Sequence, residues 1–452
     1  MTERRLVRGL GFWGASSLVV GTIIGTGVFL KTSVMAELGG SPLWVLLAWL
    51  AAGALSLAGA MTYAELGAMY PQAGGEYVYL RRGYGPFMGY LYAWNRFWIA
   101  TPGSIAAYAV GTAKFLEVPF DTSVVGGNTV LAIALVATFT AINLVNVRSG
   151  GHFNTVLTVM KVALVLVVAA GALAAPRGSW SNLSAGGGFP GWSAFGAMML
   201  AALWAYDGWN NLPMAAGEVR DPGRNLPRAI VGGSLAVLAI YAVINLGYFH
   251  ALPLPDVINS ASNKGDQPAV AARVAAQFLG DTSQIVLALA MALCALSAMN
   301  GSMLTGARVP YAVARDRLAP AGLGALSDGA RVPAVSVLVQ GALACILALT
   351  SSFDQLTDAV VFASWLFYAL NAGSVLMLRR REPGRARPFR VPGFPVVPVV
   401  FVALATLLLV NTVYTAPEPS AIGLGMTAIG ALVYALFLRG RARIDEATSD
   451  PP

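Results

Sequence analysis

Charge is scarce in this chain. Only 11% of its 452 residues are Asp, Glu, Lys or Arg, against 57% hydrophobic residues, and the mean hydropathy is +0.67. That balance excludes a soluble globular fold and indicates a polytopic membrane protein. Histidine is rarer still. His152 and His250 are the two present, and they fall on opposite sides of the membrane in the topology below. No nucleophile–base pair or metal-ligand cluster accompanies them, so the sequence does not read as an enzyme and calls for no cofactor or metal. Cysteine is limited to Cys294 and Cys345, both in apolar runs. They read as small buried hydrophobes rather than a disulfide or a metal site. Lysine is sparse as well, with 4 against 25 arginines, which together with abundant Ala and Gly points to a GC-rich bacterial genome.

The net charge of +8 does not imply nucleic acid. The basic residues lie in short loops between apolar segments, whereas a phosphate-binding groove needs them on one continuous face. The N-terminal stretch 1–10 is short and basic, and no small-residue cleavage site follows it. It reads as a cytoplasmic lead-in to the first span rather than a signal peptide.

A span needs roughly 20 predominantly apolar residues. Segments of that kind run near 11–37, 42–69, 86–116, 124–146, 153–175, 192–217, 229–250, 282–307, 333–351, 356–378, 394–414 and 419–438, which makes twelve. With the N-terminus inside, 22 basic residues fall in cytoplasmic loops, 3 in outer loops and 4 within segments. Miscounting one helix would scramble that asymmetry, so the positive-inside rule favours twelve spans with both termini cytoplasmic. The stretch 251–281, rich in Pro, Asn and Gly, reads as an outer loop with a short helix at 268–279.

Two of these segments are broken by helix-unwinding residues. The first carries Gly21, Gly25 and Gly27 with Thr22 and Thr26 between them; the sixth carries Trp204, Ala205, Tyr206, Asp207, Gly208, Trp209, Asn210, Asn211 and Pro213. Backbone groups freed inside hydrocarbon cost several kcal/mol each unless something polar satisfies them. Paired breaks at matching positions of two halves mark the substrate site of a secondary transporter. Five helices separate the breaks, so segments 1–5 (11–175) and 6–10 (192–381) must form an inverted repeat. The expected fold is all-α and integral to the membrane: twelve transmembrane helices with a LeuT-type 5+5 inverted repeat and broken helices 1 and 6. Helices 11 and 12 (394–438) and the C-terminal stretch 439–452 lie outside the repeat.

An amino acid zwitterion suits such breaks. A half-helix N-terminus offers N–H donors and a positive dipole end to the carboxylate, here through Thr26 and Gly27. The carbonyls of Ile23 and of residues 204–207 offer acceptors for the ammonium. Close helix packing through small residues is the competing explanation of the glycines. Asp207, a carboxylate near the bilayer centre, must face a cavity or a cation. It either meets a cationic group of the substrate, pairs with Arg96 or Lys161, or caps the broken backbone. Trp204 and Trp209 flank the break, and one of them is suited to lidding a substrate. Lys161 lies well inside the fifth segment, where its amine needs oxygen partners. It either holds the place of a sodium ion between helices 1, 5 and 8 or snorkels to the cytoplasmic interface. Arg96 has no role readable from sequence. Ser297 and Asn300 are candidates near the site on the eighth segment.

Several strings carry a resemblance: GTIIGTGVFL at 21–30, Tyr63-Ala-Glu-Leu, the run 71–79 (PQAGGEYVY), WAYDGWNNL at 204–212, the run 218–228 and the run 387–392. In that order they resemble the amino acid–polyamine–organocation superfamily and, within it, the L-amino acid transporter group, over nearly all of 10–440. The resemblance implies sodium-independent amino acid transport, commonly obligatory exchange, by alternating access. It places the substrate carboxylate on Thr26 and Gly27 beside Gly25, and the ammonium near Ile23 and Trp204 beside Ala205. It makes Trp204 the outer gate, Asn210 a polar neighbour of the site, and Lys161 the substitute for a coupling sodium. Asp207 matches an aspartate of cystine and basic amino acid exchangers, which implies cationic as well as neutral substrates. Eukaryotic relatives join a single-span glycoprotein through a cysteine between helices 3 and 4. The loop 117–123 has none, so no disulfide-linked heavy chain is expected. The expected protein is a bacterial inner-membrane exchanger, a monomer or weak homo-oligomer in the lipid bilayer. Proton-coupled symport and polyamine or cationic amino acid carriage are the alternatives.

Overall fold

The computed structural model describes residues 6–439 apart from 146, 261–268, 329, 351–352 and 416. Among the described residues it is helical, with one isolated backbone bridge, Leu10 to Val219, and no named strand. The first six helices are α1 (Phe12–Ile23), α2 (Gly27–Gly39), α3 (Pro42–Met69), α4 (Glu76–Tyr84), α5 (Pro86–Asn95) and α6 (Thr101–Leu116). Next come α7 (Gly127–Val145), α8 (Val147–Leu173), α9 (Trp192–Ala205), α10 (Asn211–Met214), α11 (Pro222–Ala251), α12 (Leu254–Ile258) and α13 (Val270–Leu279). The chain ends with α14 (Ser283–Gly306), α15 (Arg308–Arg315), α16 (Ala334–Thr350), α17 (Phe353–Arg381), α18 (Val396–Thr415) and α19 (Pro417–Val433).

Each of the twelve apolar segments holds helix. Eight helical stretches among the described residues are long and apolar enough to cross a bilayer, and α9 and α16 are apolar but shorter. Large apolar side chains point outward from α18 and its C-terminal neighbour, for example Leu407, Leu432 and Phe437. In a membrane protein such a surface faces lipid rather than water.

Local chemistry sets the boundaries. Gly40, at φ +56°, caps α2 in the left-handed conformation with its N–H on Ala36 O. Between α5 and α6 the chain makes a π-turn over Arg96–Ala100. Pro102 follows it and has no N–H for the carbonyl of Trp98, so the widened turn absorbs the misfit. Helices also outrun the apolar segments. α11 starts at Pro222, not near 229, because proline is well placed in a first turn. The segment 282–307 continues into α15, and α17 runs on to Arg381. Among the described residues of 251–281 there are two short helices, α12 and α13, where the sequence suggests one at 268–279, whose first residue lies outside the described residues. Of the terminal stretches, 1–5 and 440–452 lie outside the described residues.

α1 lies among α8, α11 and α14, while α2 and α3 pack on α9. The largest buried apolar cluster therefore forms around the ends of α1 and α9, including Ile23, Ile24, Ala205, Trp209 and Tyr241. That is where both interruptions meet.

Candidate functional site

α1 stops at Ile23 and α2 starts at Gly27, so Ile24, Gly25 and Thr26 bridge a gap in one apolar run. α9 stops at Ala205, residues 206–210 turn, and α10 is a single turn. Glycine makes the contact between the two gaps feasible. Gly208 has φ +124°, and a Cβ there would lie 2.7 Å from the Thr22 carbonyl carbon. A Cβ on Gly27 would lie 2.6 Å from Ala205 Cβ and 3.1 Å from the Trp204 ring. At Gly25 the nearest atom to such a Cβ is Ile23 O, 4.0 Å away. Two glycines thus serve close approach, and the third borders open space.

Side chains from neighbouring helices satisfy what the breaks release. Thr22 Oγ1 lies 2.9 Å from Gly208 O, which joins the two gaps directly. The buried Tyr241 hydroxyl of α11 shares its proton between Ile23 O at 3.2 Å and Ala205 O at 3.1 Å. Lys161, fully buried on α8, donates to Gly21 O and, at 2.6 Å, to Ile24 O. In an unbroken helix those carbonyls would accept from the N–H groups four residues on, Gly25 and Val28. An ammonium supplies the missing donors. At the other edge, the first N–H groups of α2 have no intrahelical partners.

A cavity of about 40 Å³ lies between the breaks, enough for about three waters. Thr22, Ile23, Gly25, Thr26, Gly27, Trp204, Ala205 and Asp207 line it, with Ser104, Ala107 and Tyr108 from α6 and Val360 from α17. Asp207 Oδ1 accepts from the Tyr368 hydroxyl at 2.7 Å, and the Arg96 guanidinium lies within electrostatic range. Arg96 Nη2 itself donates to Asn211 Oδ1 at 2.8 Å. A larger cavity of about 680 Å³ opens elsewhere, beside Arg8, Arg81, Arg82 and Asp316. It shares no lining residue with the breaks.

A sequence profile of the amino acid permease family matches residues 10–437. The chain belongs to the amino acid permease family. Among similar proteins is the serine/threonine exchanger SteT of Bacillus subtilis, 31% identical over 96% of this chain and 97% of that protein. The b(0,+)-type amino acid transporter 1 of Homo sapiens is 30% identical over 91% of this chain and 84% of its own length. The large neutral amino acids transporter small subunit 2 of Rattus norvegicus is 28% identical over 95% and 81%. These relatives are transporters, not enzymes, and the apolar helices make this permease a multi-pass membrane protein.

In this permease seven of the residues singled out from sequence line one cavity: Ile23, Gly25, Thr26, Gly27, Trp204, Ala205 and Asp207. Lys161 lies behind the wall, on the carbonyls of the first break. Asn210 goes elsewhere. The turn at Gly208 carries its side chain toward Glu76, with Nδ2 3.5 Å from Oε2, rather than into the cavity. Glu76 is wholly buried and accepts from the hydroxyls of Tyr63 and Tyr92. Ser297 and Asn300 do not line the cavity either. Ser297 faces Gly21, and Asn300 accepts from Asn143 at 2.9 Å. Sequence reasoning missed Tyr241, Tyr108, Ser104 and Tyr368. The available signal was weak: a tyrosine in an apolar helix needs a partner for its hydroxyl, but nothing in the sequence names that partner.

Proposed function

We propose that the protein is a sodium-independent exchanger of small neutral L-amino acids that holds the zwitterion in the cavity between the two helix breaks. The observation that carries this reading is the meeting of two interrupted helices around one small cavity. The start of α2 presents N–H groups of Thr26 and Gly27 to a carboxylate. The end of α9, with the carbonyls of Ile23 and Trp204, receives the ammonium. Trp204 walls the cavity and serves as its outer gate.

Neutral substrates fit best because the carboxylate that lines the cavity among the described residues, Asp207, already has the Tyr368 hydroxyl and the Arg96 charge. The relative named as a serine/threonine exchanger supports the same class. Lys161 occupies the carbonyls a coupling sodium would use, which supports cation-independent cycling. The distribution of basic residues supports twelve spans in a LeuT-type inverted repeat, both termini on the cytoplasmic face of a bacterial inner membrane. The lack of a cysteine in 117–123 supports function without a disulfide-linked partner.

Counterflow into proteoliposomes tests the reading. Labelled serine should enter only vesicles preloaded with amino acid, at a rate unchanged when choline replaces sodium. Uptake into empty vesicles driven by a pH gradient alone would instead establish a proton symporter.

A further inference from the structure

Arg96 is the intramembrane charge whose role the sequence leaves open. It begins the π-turn over Arg96–Ala100, and its side chain is buried. A buried guanidinium needs acceptors and opposite charge close by. Arg96 Nη2 reaches an acceptor, Asn211 Oδ1, at 2.8 Å. Its charge is felt by two carboxylates, Glu76 and Asp207. The two are placed differently. Glu76 is wholly buried, accepts from the hydroxyls of Tyr63 and Tyr92, and is not among the residues that line the cavity. Asp207 lines the cavity and accepts from Tyr368. One cation therefore answers two anions, and one of those anions borders the space for a substrate.

We propose that Arg96 and Glu76 together set the choice between neutral and cationic substrates: the guanidinium withholds Asp207 from a cationic side chain, and Glu76 competes for that guanidinium. The inference rests on the reading of the breaks as the substrate site. Charges in a buried setting act over several ångströms, so neither residue has to touch the substrate. With both carboxylates ionised, the three side chains leave one net negative charge. Removing the arginine charge leaves two and frees Asp207 for a lysine ammonium. Removing the Glu76 charge leaves none and gives the guanidinium to Asp207 alone. Removing both restores the balance of the wild type. Lost packing has no such sign: it impairs the site in either variant, and the second change does not undo it.

The test is exchange of labelled serine, and its inhibition by lysine, in proteoliposomes. Wild type is compared with Arg96→Gln, Arg96→Met, Glu76→Gln and the double variant Arg96→Gln/Glu76→Gln. The readout is the KM for serine divided by the inhibition constant of lysine. Both Arg96 variants should raise that ratio by roughly five- to tenfold, and Glu76→Gln should lower it. The double variant should return to within about twofold of wild type. If the single Arg96 variants do not fold, the other two still decide, since one must lower the ratio and the other restore it. A ratio that moves the same way in the Arg96 and Glu76 variants would overturn this inference and leave the site reading standing. So would a ratio that stays at the wild-type value in all of them. Wild type inert toward every amino acid would overturn the site reading and this inference with it.

Discussion

At the scale of single residues, Lys161 and Tyr241 do the same job by different means. Each brings a donor to carbonyls at the interrupted helices, Lys161 to those of α1 and Tyr241 to one each of α1 and α9. A buried carbonyl stripped of its donor costs about 1–3 kcal/mol. Lys161→Ala strips two and leaves a void, so a lowered melting temperature in detergent and loss of exchange are the expected result. Tyr241→Phe removes only a hydroxyl. The expected outcome is a melting temperature lowered by less than in Lys161→Ala, because no void is left, with an exchange rate that falls about five- to tenfold. Unchanged rates in both variants would show that these bonds do not shape the site. The lysine was legible in the sequence because an amine inside an apolar segment has few explanations. Tyr241 and Tyr368 were not, since an aromatic in an apolar helix looks like packing until its distant partner is known. Asn210 was expected as a polar neighbour of the site from the resemblance, and the turn at Gly208 carries its side chain toward Glu76.

At the scale of elements, the three glycines of the breaks separate packing from binding. Gly27 and Gly208 are pressed on neighbouring backbone, while Gly25 borders open space. Gly208→Ala must hold a side chain at φ +124° and push Thr22 away, at a cost of about 2 kcal/mol or more. Gly27→Ala pushes α2 off α9. Both should lower the thermal midpoint and impair transport together. Gly25→Ala should melt normally yet lose serine-dependent thermal stabilisation, because its methyl group enters the cavity. Equal destabilisation by all three would mean that the glycines serve helix packing alone. The breaks were readable as clusters of glycine and polar residues inside apolar runs. What could not be read was the π-turn at Arg96 or the helix α4, which carries Glu76, Arg81 and Arg82 within 9 residues and so lacks the apolar run that marks a membrane segment. Neither is set by apolar periodicity; proline chemistry and long-range partners of Glu76 set them.

At the scale of the whole molecule, ion pairs fasten the ends of helices at one side of the bundle. Arg308 and Glu218 form a buried pair at 2.6 Å, and Glu65 receives Arg379 at 2.6 Å with Arg387 close by. Arg81 pairs with Asp316 in a partly exposed setting. Removing one member of a buried pair strands its partner, so Glu218→Ala should cost about 3–5 kcal/mol. Asp316→Asn should cost about 1 kcal/mol or less. Chemical denaturation in micelles compares the two, and equal losses would contradict the burial argument. The helical character of the apolar segments was legible in their hydropathy. Charged extensions such as the stretch of α17 to Arg381 were not, because a hydropathy reading ends where the lipid ends and a helix does not. The measurement that bears most directly on the site is an electron-density map of the protein with bound serine. The expected density lies between the breaks, its carboxylate on the N–H groups of Thr26 and Gly27 and its ammonium facing the carbonyls of Ile23 and Trp204. Serine bound elsewhere, with the space between the breaks unfilled, would contradict it.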